Sequence, residues 1–156
     1  MRAESRSPTL FEPLPLSHTW PIWERSRQFE LGHILSSVVT DVLEPVRIGD
    51  LGPHHAGCWE CDLTDNSLVW SGGVYDIFGL ARGAPIGREE AVSFYCEESR
   101  ARMERLRAYS IKHRRGFTLD VEIRAAVGGS RWMRLITEPV CSGGRAVRLQ
   151  GLKLIV

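Results

Sequence analysis

What this chain has little of limits its function more than what it has. No run of about 18 apolar residues occurs, so no segment reads as a membrane-spanning helix. Residues 1–21 mix Arg, Glu and Ser with four prolines and carry no continuous apolar stretch, so no secretory signal is expected. Charge of one sign is also missing. Twenty Lys and Arg against 19 Asp and Glu leave a net +1, which gives no global field to draw the chain to nucleic acid or acidic lipid. The four cysteines (Cys58, Cys61, Cys96 and Cys141) are too few for a 156-residue chain to depend on disulfides. A cytoplasmic protein with reduced thiols is the expectation, with neither membrane nor nucleic acid as partner.

Catalytic motifs are missing as well. Gly72-Gly73 and Gly128-Gly129 are not followed by Lys-Ser/Thr and make no phosphate loop. Ser71-Gly72 is not a G-x-S-x-G elbow. Glu60, Asp62 and Asp65 alternate along a strand and turn, a spacing that suits turn capping better than paired acid–base work. Cys58 and Cys61 form a Cys-x-x-Cys, but residues three apart on a strand point to opposite faces, and a zinc ion wants four converging ligands. His54 and His55 lie nearby in a Gly-Pro linker with no second cysteine pair. The cations Arg100, Arg102, Arg105, Arg107, Lys112, Arg114 and Arg115 are interleaved with Glu97, Glu98 and Glu104 and read as a solvated helix face. Neither a metal site nor an enzyme emerges.

What is present falls into four zones. Pro8, Pro13, Pro15 and Pro21 mark residues 1–21 as a flexible tail. Residues 22–44 turn helical: Leu31, Ile34, Leu35, Val38, Val39 and Val42 recur at three- and four-residue spacing and form an apolar stripe. That stripe must be buried, either on the following domain or on a partner chain. Pro45, Gly49 and Gly52-Pro53 place a linker over 45–55.

From Ala56 the pattern is strand, turn, strand, helices, then three strands. Residues 58–63 and 68–70 read as a hairpin around the turn cluster Thr64-Asp-Asn-Ser67. Residues 74–78 make a short helix closed by Gly79, Ala81–Arg88 a loop, and 97–114 the longest helix. Residues 117–124 alternate at period two, as a half-buried strand does. Further strands follow over 131–136 and 147–156, with turns at Gly128-Gly129 and Ser142-Gly-Gly144. The class is α+β, one antiparallel sheet with helices on one face.

This order resembles the PAS family at several separated points. Gly57-Cys-Trp59-Glu60-Cys-Asp62-Leu63 is similar to the family's opening strand. Leu68-Val-Trp70-Ser71 with Val74-Tyr75-Asp-Ile77-Phe78-Gly79-Leu80 resembles its second strand and first helix. Phe117 to Arg124, a Gly-Gly turn and Arg131-Trp132-Met-Arg134 resemble its C-terminal signature. The resemblance spans residues 56–156. It implies a five-stranded antiparallel sheet, a helix-covered inner face that holds a ligand in some members, and dimer or partner contacts through the outer face and the preceding helix. Two departures stand out. Phe94-Tyr-Cys-Glu-Glu98 replaces the family's His-Pro-Glu-Asp run, and the last strand reads Gly151-Leu-Lys-Leu-Ile-Val156 where a coupling Asp-Ile-Thr segment is usual. A complete 156-residue product would therefore act through a partner, whereas a piece of a longer sensor would have lost its effector.

The resemblance also narrows the cofactors. Haem needs an axial ligand on or near the long helix, yet no His lies between His55 and His113, and His113 stands at the helix end. Cys96 sits in Tyr-Cys-Glu-Glu, unlike the flavin-attaching segment of the photosensors. Neither haem nor covalent flavin is expected. If a small ligand binds, the expected lining is Trp59, Trp70, Tyr75, Phe78, Met103, Leu106, Trp132 and Leu135. The expected function is a non-catalytic sensory module. It would homodimerise, or dock a histidine kinase, cyclase or transcription regulator, through the 22–44 helix. The alternative is a receptor for an apolar metabolite.

Overall fold

The computed structural model describes residues 15–30 and 56–156. Six strands form one antiparallel sheet: β1 (Ser17–Trp20), β2 (Ala56–Asp62), β3 (Leu68–Trp70), β4 (Gly116–Arg124), β5 (Ser130–Ser142) and β6 (Arg145–Ile155). Their spatial order is β1-β4-β5-β6-β2-β3. The helices are α1 (Arg25–Glu30), α2 (Gly72–Phe78), α3 (Arg88–Ser93) and α4 (Glu97–His113).

Local chemistry sets most of these boundaries. The β2–β3 turn closes on two side chains: Asp62 Oδ1 accepts from Thr64 N–H at 2.8 Å, and Asp65 Oδ1 from Ser67 N–H at 2.9 Å. Gly79 ends α2 at φ 68°, and a Cβ there would lie 2.5 Å from the Val127 carbonyl oxygen, so both conformation and space demand glycine. Helix α4 begins with Glu97 and Glu98 and ends with Lys112 and His113, each sign at the helix end that favours it. An additional helix, α3, follows at the end of the expected Ala81–Arg88 loop.

The inner sheet face carries the larger core. Phe117, Leu119, Val121 and Ile123 of β4 project inward with Met133 and Leu135 of β5, Leu149 of β6 and Trp59 and Cys61 of β2. Helix α2 seals this face with Val74, Ile77 and Phe78, all fully buried, while Met103 comes from α4.

The outer face departs from expectation. Residues 1–21 read as a flexible tail, yet Ser17–Trp20 pair antiparallel with Leu119 to Gly116 and give the sheet six strands instead of five. Proline-flanked chain suits this place, because an edge strand leaves one row of N–H positions unpaired. Trp20 anchors it: its ring covers Gly116, where any Cβ would collide, and its indole N–H donates to Thr118 Oγ1 at 3.1 Å. A 3-10 turn (Ile22–Glu24) and α1 then lay Phe29 edge-on against Trp20, forming a second core with Ala56, Ile136, Leu152 and Leu154. These are the first turns of the expected 22–44 helix. Its apolar stripe from Leu31 to Val42, and the 45–55 linker, lie outside the described residues.

Candidate ligand-binding site

Under the inner face lies a cavity of about 50 Å³, enough for several water molecules or a small organic group. Strands β2, β4, β5 and β6 supply Trp59, Cys61, Phe117, Leu135, Thr137, Leu149 and Lys153. The helical side supplies Arg88, Ala91 and Val92, then Tyr95, then Met103 and Arg107 of α4. The lining is mostly apolar, with a few polar groups set into it.

Lys153 is the chemical centre of the site. It lies opposite Gly57 and Leu135 in the register and is only 6% exposed. Its Nζ stands 5.1–5.7 Å from the ring centroids of Trp59, Trp70, Phe78 and Tyr95 and donates to Tyr95 Oη at 3.2 Å. Aromatic faces offset part of the cost of burying an ammonium, but they do not replace water. Burial pushes the amine down to about 7, only partly countered by Cys61. Burial likewise raises the Cys61 thiol, against the pull of the Arg107 guanidinium beside it, and holds the Tyr95 phenol well above its ordinary range.

Other polar groups here lack partners. Thr137 Oγ1, Trp59 Nε1 and Trp70 Nε1 are buried without a hydrogen bond among the described residues. Arg148 Nε is also unbonded, but it stands 3.3 Å from Glu60 Oε2, within ion-pair range although not aligned for a hydrogen bond. At the cavity's helical edge Arg88 pairs with Glu104, and Arg107 donates to Asn66 Oδ1 at 3.0 Å.

Of the ligand residues expected from sequence, Trp59, Met103 and Leu135 line the cavity. Trp70, Tyr75 and Phe78 belong to the same core, with the Trp70 ring stacked on Phe78 at 4.8 Å, and Leu106 packs on its margin. Trp132 does not join them. It is 38% exposed, paired across the sheet with Glu122, while its neighbour Met133 takes the inward place. Cys58 and Cys61 fall on opposite faces, one against the outer core and one against the inner. No group of three or more potential metal ligands occurs among the described residues. Arg107, grouped in sequence with a solvated basic face, turns instead to the cavity. Lys153, Arg88 and Thr137 carry no sequence signal for the cavity, and the alternation of β6 points Lys153 to solvent.

A family model described as the PAS fold matches residues 67–152. No curated protein sequence matches the chain. Among solved structures, the N-terminal domain of a diguanylate cyclase with PAS/PAC sensor from Marinobacter aquaeolei is 14% identical, with a TM-score of 0.57 over 63% of this chain and 92% of that one. A sensory box histidine kinase/response regulator from Burkholderia thailandensis is 16% identical, with a TM-score of 0.56 over 81% of this chain and 84% of that one. An RNA-binding light-oxygen-voltage receptor is 13% identical, with a TM-score of 0.58 over 65% of this chain, but the match spans only 29% of that receptor. The strand order, the helix-covered inner face and the family match agree: this chain belongs to the PAS fold family.

Proposed function

We propose that the chain is a non-catalytic sensory module of a cytoplasmic signalling system, and that its input is a small molecule bound in the inner-face cavity. The observation that carries this reading is the cavity itself. A space of about 50 Å³ under the sheet is walled by aromatic and aliphatic side chains and contains one buried amine. Small-molecule sites have this composition: mostly apolar, with few polar groups that fix orientation. The aromatic wall suits the expected apolar metabolite, although Lys153 adds a polar requirement to it. The test is native mass spectrometry of the full chain as purified, followed by thermal denaturation with any molecule recovered. A co-purifying small molecule that raises Tm when added back is the expected result; a clean apo mass, with no stabilisation by any small-molecule probe, would count against the reading.

A second reading concerns output and rests on a different observation. Trp23 is 81% exposed beside half-exposed Ile22, on the segment that covers the outer face. An exposed aromatic at such a place suits contact with a second copy or with a signalling protein such as a kinase or cyclase. Replacing Trp23 with Glu should lower self-association or partner binding in the full chain, read by light scattering. Unchanged association would remove this segment from the interface.

A further inference from the structure

Resting on the receptor reading, we infer that the cavity recognises the carboxylate of a small organic acid, with Lys153 gripping the carboxylate and the aromatic wall receiving its apolar body. The charges around the cavity have one sign. Lys153, Arg88 and Arg107 line it, and no Asp or Glu among the described residues does. Arg88 is paired with Glu104, whereas Arg107 donates to the uncharged amide of Asn66. Lys153 takes part in none of the ion pairs among the described residues, and its hydrogen-bond partner, the Tyr95 hydroxyl, carries no charge. Lys153 and Arg107 thus line the cavity without an ion-pair partner among the described residues, and an anionic group would supply the missing counter-charge.

The unbonded groups point the same way. Thr137 and Trp59 are among the lining residues, and Thr137 Oγ1 and Trp59 Nε1 are buried without a hydrogen-bond partner among the described residues. Each buried donor left unpaired costs about 1–3 kcal/mol, so an acceptor that reaches them is rewarded. A carboxylate has two oxygens and accepts from several donors at once, where a neutral carbonyl would leave an ammonium without a counter-charge. Beyond the amine, Phe117, Leu135, Leu149 and Met103 offer apolar surface for a short chain. The limited volume keeps that body small.

Protonation of Lys153 couples to binding. The unliganded amine, pushed down to about 7 by burial, must take up a proton to pair with a carboxylate, so affinity should fall as pH rises above that value. The titratable groups facing the amine are Cys61 of β2, Tyr95 ahead of α4, Arg88 of α3 and Arg107 of α4, with Glu104 behind Arg88. The raised thiol and phenol stay neutral while Lys153 titrates.

The experiment is calorimetric titration of the full chain with acetate and propionate, each against its neutral amide. At about pH 6.5 the carboxylates should bind about tenfold or more tightly than the amides, and by about pH 8.5 that advantage should shrink several-fold. Lys153→Met, close in shape and free of buried charge, should remove the advantage, and Thr137→Val should reduce it by a few-fold. Amides that bind as tightly as their acids, or carboxylate binding insensitive to pH in the wild-type chain, would overturn the carboxylate assignment while leaving a cavity receptor in place. Amide and acid both failing to bind overturns it as well; if the natively purified chain is also empty, the receptor reading falls with it.

Discussion

The two faces of the sheet bury similar kinds of residue but treat polar groups in opposite ways. Among the described residues of the outer face, the polar groups near the core are hydrogen-bonded apart from Arg148 Nε, which stands within ion-pair range of Glu60. Trp20 donates to Thr118, Glu138 accepts from Arg25 and Gln150 at 2.8 Å each, and Asp120 takes two bonds from Arg134 and a third from the Leu16 N–H. On the inner face, Thr137 and the two indoles Trp59 and Trp70 are unbonded, and Lys153 is an amine held among rings. Buried polar groups stabilise only when satisfied. The outer face is therefore built as closure, and the inner face gives up stability in a way that a ligand can restore. That contrast is the physical ground for the proposal that sensing lies inside and contact outside.

The contrast can be broken most severely at Trp20. Trp20→Ala removes the largest side chain of the outer core and should cost about 3–5 kcal/mol in denaturant unfolding. A loss under about 1 kcal/mol would mean that the N-terminal strand is not part of the stable unit. Next comes the inner face. Burial holds the Lys153 amine well below its ordinary value, so the folded chain releases a proton that the unfolded chain keeps. Stability of the unliganded protein should therefore rise from about pH 7 to pH 9, by roughly 2–3 kcal/mol. Lys153→Met should be more stable near neutral pH and lack that rise; an identical pH profile would place the amine in water. A smaller effect is expected at Glu138, which is 4% exposed: Glu138→Ala strands Gln150 and the half-exposed Arg25 and should cost about 1–2 kcal/mol. Smallest is Trp132→Ala, below about 1 kcal/mol and without effect on ligand titrations, which would separate this residue from the cavity.

Much of this architecture was legible because local chemistry dictates it. Asp62, Asp65 and Asn66 sit where a tight turn needs Asx side chains, and Gly79 sits where only glycine closes α2. The alternation from Phe117 to Ile123 marked β4 as a strand, but the strand expected to be half-buried is covered on both faces, with Thr118 and Asp120 buried as well. The Cys58–Cys61 spacing on a strand put the two thiols on opposite faces, where the structure has them. Residues with no local signature were harder. Nothing in Ser17–Trp20, flanked by Pro15 and Pro21, distinguishes an edge strand from a tail, because its hydrogen bonds and its burial both come from β4, about a hundred residues away.

Trp132 and Lys153 mark the limit most clearly. In Gly151-Leu152-Lys153-Leu154, period two suggests that the leucines face the core and the lysine faces water. The sequence determined that these residues form a strand and that neighbours point to opposite faces. Which face holds the cavity was decided only by the tertiary structure. Both faces of β6 are covered, so Leu152 and Leu154 are buried under Trp20 and Ile136 while Lys153 turns into the aromatic cavity. Alternation distinguishes two sides of a strand, but with neither side in water it cannot say which one is which.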